Sequence, residues 1–165
     1  MEIDIPLQGA EKPTLVGFLD FQRRQVIDKV EDLDREAATR QLVPSATTLA
    51  GIVKHLIDVE RWWFRIVLVG EAVELVATRA DPDADWRIEP EDTVAELVAA
   101  YRAEIDRANA IVETADLDDL AVKETRRGHV SLRWILVHMI EETARHAGHA
   151  DILREQIDGT TGVGY

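Results

Sequence analysis

Hydrophobic residues along this chain recur mostly at spacings of three and four positions rather than two. Because an α-helix has about 3.6 residues per turn, such spacings return side chains to one face and predict amphipathic helices. Four long segments show the pattern. Helices are predicted over residues 14–33, 45–70, 93–115 and 131–156, with a short helical turn over 35–39.

Polar residues and glycines mark the ends of these predicted helices. After the breaker Pro44, a serine and two threonines are available to cap the second helix, and Gly70 is a suitable stop. Thr93 and Glu96 form a capping box at the start of the third helix, in which the hydroxyl and the carboxylate can each satisfy a free backbone donor. Ser131 is the predicted cap of the fourth helix.

Amphipathic helices without a sustained strand pattern pack best around one core. The sequence therefore predicts an all-α protein, an up-down four-helix bundle formed by a single domain over residues 1–165. Its irregular feature is a long connection between the second and third helices, residues 70–91, which contains two prolines. The acidic run DPDADWRIEPED is most simply a solvated loop.

The charge balance limits the partners that this chain can have. Its 165 residues include 19 Lys and Arg against 32 Asp and Glu, a net charge of −13. This excess of acids argues against nucleic acid and anionic membrane surfaces, because both attract clustered cations. The longest uncharged stretch, residues 41–53, is shorter than the roughly 20 apolar residues of a spanning helix. The first residues carry acids where a secretory signal is basic, so we expect a cytoplasmic protein.

Cysteine is absent from the sequence. The chain therefore has no disulfide, no cysteine ligand for zinc and no thiol nucleophile of its own. If its chemistry involves sulfur, the thiol must be supplied by a second molecule.

Histidines are the main candidates for metal binding, and most lie in or just before the last predicted helix. They are His55, His129, His138, His146 and His149. Glu142 and His146 are one helical turn apart on one face, which His138 begins and His149 continues. A carboxylate and an imidazole so spaced can bind one metal ion if a facing helix supplies a third ligand. His129 is expected in a loop.

His55 is the candidate third ligand, because it lies in the otherwise apolar run LAGIVKHLIDV of the second helix. A buried imidazole needs partners for both nitrogens, and a metal ion can satisfy one of them. Three protein ligands would leave a coordination position open, as in catalytic zinc sites. Simpler interpretations stay open on the residues alone: His55 as a hydrogen-bonded core residue, and Glu142 with His146 as an exposed intrahelical pair.

Further residues are placed near the candidate site by their positions on the predicted helices. Trp62 returns to the face of His55 two turns later, although a core or interface aromatic is the simpler interpretation. His138 and His149 are expected beside the ligands rather than among them. Arg145 is one of several arginines on the last helix that can pair with neighbouring glutamates or hold an anionic substrate.

The segments TLAGIVKHLIDVERWWF and SLRWILVHMIEETARHAGHADILREQIDG resemble the DinB-like (DinB/YfiT-type) superfamily of helical metalloproteins. Within it they are similar to the branch related to the metal-binding domain of mycothiol-dependent maleylpyruvate isomerase. The common pattern has one His on the second helix and a His-x-x-x-His pair on the last. Here Glu142 replaces the first His of that pair. The resemblance implies His55, Glu142 and His146 as ligands of a divalent metal, most often zinc. By their chemistry, histidine and carboxylate ligands also suit nickel, iron or manganese, and nickel is an alternative in purified protein.

The resemblance also implies a low-molecular-weight thiol such as mycothiol as cosubstrate. The expected function is a thiol S-transferase, or a thiol-dependent isomerase, in which the metal activates the thiol for attack on an electrophilic substrate. Two other functions stay open: a metal-dependent hydrolase of the same fold, and a non-catalytic bundle that binds metal or a small ligand. Bundles of this kind often pair through an apolar helix face, so a homodimer is also expected.

Overall fold

The structure is a computed structural model that describes residues 5–126 and 128–162. In these ranges the regular elements are helical, and the only bridges are isolated ones. In chain order the elements are α1 (Glu11–Asp28), α2 (Arg35–Ala38), α3 (Leu49–Glu60), a π-helical segment (Arg61–Leu68), a 3-10 helix (Ala84–Trp86), α4 (Val94–Thr114) and α5 (Leu132–Asp158). The predicted all-α fold class is confirmed. None of the described helices is long and apolar enough to cross a membrane.

Hydroxyl side chains cap three of the helices. Thr48, Thr93 and Ser131 each accept a backbone N–H bond from the first turn of the helix that follows, which satisfies a donor without an intrahelical partner. In the predicted capping box, however, the Glu96 carboxylate accepts from the Thr93 hydroxyl at 2.6 Å rather than from a backbone N–H. Gly159 ends α5 with a φ of 80°, a left-handed conformation that suits glycine.

The first helix differs most from its prediction. It begins earlier, at Glu11, because Pro13 lies in the first turn, where its missing N–H is not needed. It also ends earlier, at Asp28, and the carbonyl of Lys29 accepts a hydrogen bond from Arg154 Nη1 at 3.0 Å instead of continuing the helix. A partner 125 positions away therefore helps to set this end of the helix.

The second predicted helix consists of two kinds of helix joined end to end. α3 runs to Glu60, and its continuation to Leu68 has the wider turns of a π-helix. The periodicity of the sequence predicts a single α-helix here, because apolar residues continue at helical spacing through both parts. Gly70 follows the π-helical segment with a φ of 72°, where a side chain would be strained.

The helices pack around two apolar clusters. α5 lies along α1, and α3 lies along α4 and also contacts α5. Buried residues of the first apolar cluster include Ile52, Leu56, Tyr101, Ala147 and Leu153. Buried residues of the second apolar cluster include Phe64, Val67, Leu136 and Met139. Because α3 and α5 contribute to the first cluster, the faces that carry His55 and His146 are brought together.

A buried ion pair joins α1 to the end of α3. The Arg23 guanidinium donates to both carboxylate oxygens of Glu60, at 2.7 Å each, and both residues are 1% exposed. Asp20 and Asn109 accept further hydrogen bonds from the same guanidinium. Burial raises the pKa of Glu60, although the cation beside it opposes the shift. Since each charge has its partner, this cluster is complete without a ligand.

Polar contacts hold the connection between the π-helical segment and α4 against α3. Lys54 Nζ donates to Asp92 Oδ2 at 2.6 Å and to a backbone carbonyl of the connection at 2.8 Å. Asp58 Oδ2 accepts from a backbone N–H of the connection at 2.8 Å. Gly51 completes the fit, because a Cβ at this position would lie 2.9 Å from the Trp86 carbonyl oxygen. The 3-10 helix is therefore packed on α3.

We predict that Asp92→Asn destabilises the fold by about 1.5 to 3 kcal/mol at neutral pH, a usual size for a hydrogen bond to a charged group. Burial raises the pKa of Asp92, but the hydrogen bonds from Lys54 and the Glu89 N–H outweigh it, and the net pKa is below its ordinary value of 3.8. A lowered folded-state pKa contributes stability above the unfolded-state pKa, and this contribution is lost as the pH falls through the folded-state pKa.

Urea unfolding should therefore show the native chain and Asp92→Asn converging in stability as the pH falls below about 4. Glu89→Gln is the matched control, because the Glu89 carboxylate is exposed and contacts Arg87 on the surface. A stability difference that stayed constant into acid would show that the Asp92 carboxylate is not the source of the effect.

Candidate metal centre

Three of the predicted site residues meet between α3 and α5. His55 lies on α3, and Glu142 and His146 lie one turn apart on α5. Glu142 Oε1 is 3.8 Å from His55 Nε2 and 3.4 Å from His146 Nε2. One donor atom from each residue lies within 4.8 Å of the other two. The fold thus brings together the carboxylate and the two imidazoles that the sequence singled out.

This donor set fits a divalent metal ion in chemistry and in spacing. Imidazole nitrogen and carboxylate oxygen bind zinc at about 2.0 to 2.2 Å, so two donors of one tetrahedral ion lie about 3.3 to 3.6 Å apart. The contacts through Glu142 are close to that spacing. The side chains of His55, Glu142 and His146 are 17%, 18% and 9% exposed. They are partly shielded from water, and three such ligands leave a position open to another molecule.

The three side chains interact electrostatically with one another, and a bound metal ion could replace these interactions. The neighbouring imidazoles of His146 and His55 hold the pKa of Glu142 well below its usual range. Burial lowers the pKa of His55, but the carboxylates of Glu142 and Asp85 outweigh it, and the net pKa is raised. The Glu142 carboxylate and the His55 imidazole therefore stabilise each other's charged forms. A divalent cation bound at these atoms would take the place of a proton, because metal ligation requires deprotonated donors.

Asp85 is a site residue that the sequence analysis missed. The sequence predicts a solvated loop here, but the 3-10 helix holds Asp85 at 4% exposure, with Oδ2 2.7 Å from His55 Nδ1. Because a carboxylate only accepts hydrogen bonds, Nδ1 carries the proton and Nε2 is the atom presented to Glu142. The prediction of a solvated loop is therefore wrong for this residue.

Trp86 covers the same histidine. Its ring stacks on the His55 ring with centroids 4.2 Å apart, and its centroid is 5.4 Å from that of His146. Trp62, which the sequence places on the face of His55, packs instead beside the second apolar cluster, with Lys123 Nζ 4.5 Å from its ring centroid. A tryptophan inside an acidic run was the one signal that this part of the connection is packed against the fold.

His149 and His138 lie on either side of the three residues along α5. The His149 ring is exposed, and its centroid is 5.5 Å from that of His146. The His138 ring packs against Trp63 at 4.7 Å and Trp134 at 5.1 Å between centroids. Neither histidine belongs to the group of converging donor atoms found among the described residues.

The arginines of α5 are paired with acids. Their partners are Glu11 and Asp118 for Arg133, Glu141 and Glu142 for Arg145, and Asp32 and Asp158 for Arg154. Arg145 lies 3.2 Å from the second oxygen of Glu142 and is 55% exposed. It therefore contacts the candidate site from the solvent side, with its charge already compensated.

Two imidazoles and one carboxylate between facing helices define this chain as a helical protein with a candidate divalent-metal site. Comparison with known proteins gives the family: the family model described as Mycothiol-S-transferase matches residues 14–159, and the chain belongs to this family. The resemblance to DinB-like proteins is thereby confirmed. No functionally curated protein matches the chain.

A similar fold occurs in a solved structure, the crystal structure of a conserved protein from Enterococcus faecalis. Its TM-score is 0.64 at 13% sequence identity, and the match covers 93% of this chain and 100% of that chain. At this identity the likeness concerns the fold alone.

We predict that the native chain, purified without an affinity tag, holds near-stoichiometric zinc by mass spectrometry. His55→Ala, Glu142→Ala and His146→Ala should each lose it, because two remaining donors hold the ion weakly. Asp85→Asn keeps all three ligands but removes the carboxylate that orients His55, so zinc affinity should fall by about tenfold to a hundredfold. Competition with a coloured chelator measures this affinity.

His129→Ala is the matched control, since His129 lies outside the helices and its Nδ1 contacts the Ala121 carbonyl at 2.8 Å. Its zinc content should equal that of the native chain. Full zinc content in Glu142→Ala, or no zinc in the native chain after incubation with the ion, would contradict the assignment of this site.

Proposed function

We propose that this protein is a zinc-dependent S-transferase that uses mycothiol, with His55, Glu142 and His146 as the metal ligands. The observation that carries the proposal is the convergence of these three donors in a member of the Mycothiol-S-transferase family. Zinc is proposed because it suits a site with nitrogen and oxygen ligands and an open position. The long helices are proposed to form the up-down bundle expected from the sequence.

The nucleophile in this proposal comes from outside the chain. The sequence has no cysteine, so the sulfur must belong to the cosubstrate. A divalent ion at the site would favour the thiolate form of a thiol that occupies the open position. The thiolate sulfur then forms a bond to an electrophilic carbon, the leaving group departs with its electron pair, and the thiol proton passes to solvent.

The surrounding residues prepare the site for this reaction. Asp85 fixes which nitrogen of His55 faces the centre, because its carboxylate accepts the Nδ1 proton at 2.7 Å. Trp86 lies flat on the His55 ring and excludes water from that side. Glu142 contributes negative charge that reduces the net charge of a bound dication. These contacts support a site that is rigid on one side and open on the other.

We expect zinc-loaded protein to form a thioether from mycothiol and chlorodinitrobenzene, followed by absorbance. Glu142→Gln should lower kcat/KM by at least about a hundredfold, because the amide is a poor ligand and the metal is lost. The control His129→Ala should retain the native rate.

The same assay separates the other functions. Hydrolysis of a neutral ester that proceeds equally well without mycothiol would indicate a metal-dependent hydrolase and contradict the transferase. Absence of zinc-dependent turnover with and without the thiol would leave a non-catalytic metal-binding protein.

A further inference from the structure

A cavity of about 320 Å³ lies beside His149, three positions after His146 on α5. The described residues that line it are Val43, Ser45, Thr47, His149, Ile152 and Leu153. Its link to the centre is His149, whose ring lies 5.5 Å from that of the ligand His146. Leu153 comes two turns after His146 on the same face of α5, so the cavity lies further along the helix face that carries His146.

The lining has a composition that is unusual for this chain. Of the whole sequence 31% of residues are Asp, Glu, Lys or Arg, yet none of these occurs among the described lining residues. The walls are aliphatic, and two hydroxyls and an imidazole provide hydrogen bonds. A concave, mostly apolar surface with a few polar groups, in the size range of about 300 to 1,000 Å³, is typical of a small-molecule site.

A second cavity near the centre has the opposite character. It has a volume of about 510 Å³ and is lined by charged and polar residues, including Arg35, Gln41, Asp83 and Arg87, and by Trp86. Both cavities border the segment 41–48, which contributes its residues 43, 45 and 47 to the apolar cavity and 41, 46 and 48 to the polar one. The segment therefore separates two cavities of different polarity.

We propose that the apolar cavity binds the electrophilic substrate and selects an uncharged, mostly apolar molecule. This inference rests on the proposed function, since a transferase must hold a second substrate beside its thiol. The polar cavity suits a hydrophilic thiol, which leaves the apolar one for the electrophile. An anionic electrophile would lose hydration in the apolar cavity and would find no Lys or Arg among the described lining residues, and burial of an unpaired charge is costly.

A nitroaryl chloride illustrates the reaction that this subsite would serve. The thiolate sulfur bonds to the ring carbon, the carbon–chlorine bond breaks with its electron pair on chloride, and the thiol proton leaves to solvent. Methyl chlorodinitrobenzoate and the chlorodinitrobenzoate anion have the same reacting carbon and differ in charge at a distant position. Comparing the two tests whether the cavity prefers an uncharged substrate to an anionic one.

Binding is measured first, with probes that cannot react. Calorimetric titration of the zinc-loaded chain with methyl dinitrobenzoate should give a Kd at least about tenfold lower than titration with the dinitrobenzoate anion. Ile152→Glu should weaken ester binding by at least about tenfold, because it places an unpaired carboxylate at the cavity wall. Ile152 is 56% exposed, so this change should leave the fold intact.

Val137→Glu is the matched control. Val137 lies on the same helix, is 53% exposed and does not line the cavity. Its ester affinity should equal that of the native chain, and zinc content should be unchanged in both variants. With mycothiol, the chlorinated ester should be turned over with a higher kcat/KM than the chlorinated anion, and the difference should lie in KM.

Two results would overturn the inference. One is an anion that binds as tightly as its ester, and the other is a Val137→Glu variant that loses ester affinity as much as Ile152→Glu does. A different result isolates the proposed function: if the ester binds as expected but no thioether forms with zinc and mycothiol, the cavity assignment stands and the transferase is rejected.

Discussion

The hydrogen bond between His55 and Asp85 links the candidate metal centre to the folding of a distant segment of the chain. The two atoms are 2.7 Å apart, and the residues are 30 positions apart in the sequence. For this contact to form, the connection after the π-helical segment must fold back onto α3. Gly51 permits the close approach of the Trp86 backbone, and Lys54 holds the far end of the connection through Asp92. The connection therefore forms one wall of the candidate metal centre.

The charged residues that stabilise the fold are paired with one another, whereas the cavity near the candidate site is mostly apolar. Arg23 and Glu60 compensate each other in the interior, and the arginines of α5 are occupied by acids from several elements. The apolar cavity beside His149, by contrast, has no Asp, Glu, Lys or Arg among its described lining residues. A chain with a net charge of −13 thus keeps a mostly apolar cavity beside His149, three positions after His146.

Features with a local cause could be predicted from the sequence. Thr93 and Ser131 cap the helices because each hydroxyl reaches a backbone donor within the next turn. Glu142 and His146 share a face because they are one turn apart, and His55 stands out within an apolar run. The three could be singled out because helical spacing is local and the facing of two helices follows from their apolar stripes.

Features with a distant cause could not be predicted in this way. Asp85 and Trp86 look like loop residues until α3 lies beneath them, and the end of α1 depends on Arg154 from the other end of the chain. The change from α-helical to π-helical turns after Glu60 leaves the apolar spacing intact, so no pattern marks it. The spacing of apolar residues shows which face of a helix is buried, but it does not show which segment of the chain covers that face.

In the proposed function, a metal held by His55, Glu142 and His146 offers an open position to a thiol. Absorption spectroscopy of the cobalt(II)-substituted protein tests it most directly, because cobalt reports its ligands in the visible and near-ultraviolet. We predict intense visible bands of a low-coordinate site and, on addition of mycothiol, a new near-ultraviolet sulfur-to-cobalt charge-transfer band. Cobalt that binds at this site but shows no charge-transfer band at saturating mycothiol would contradict the account.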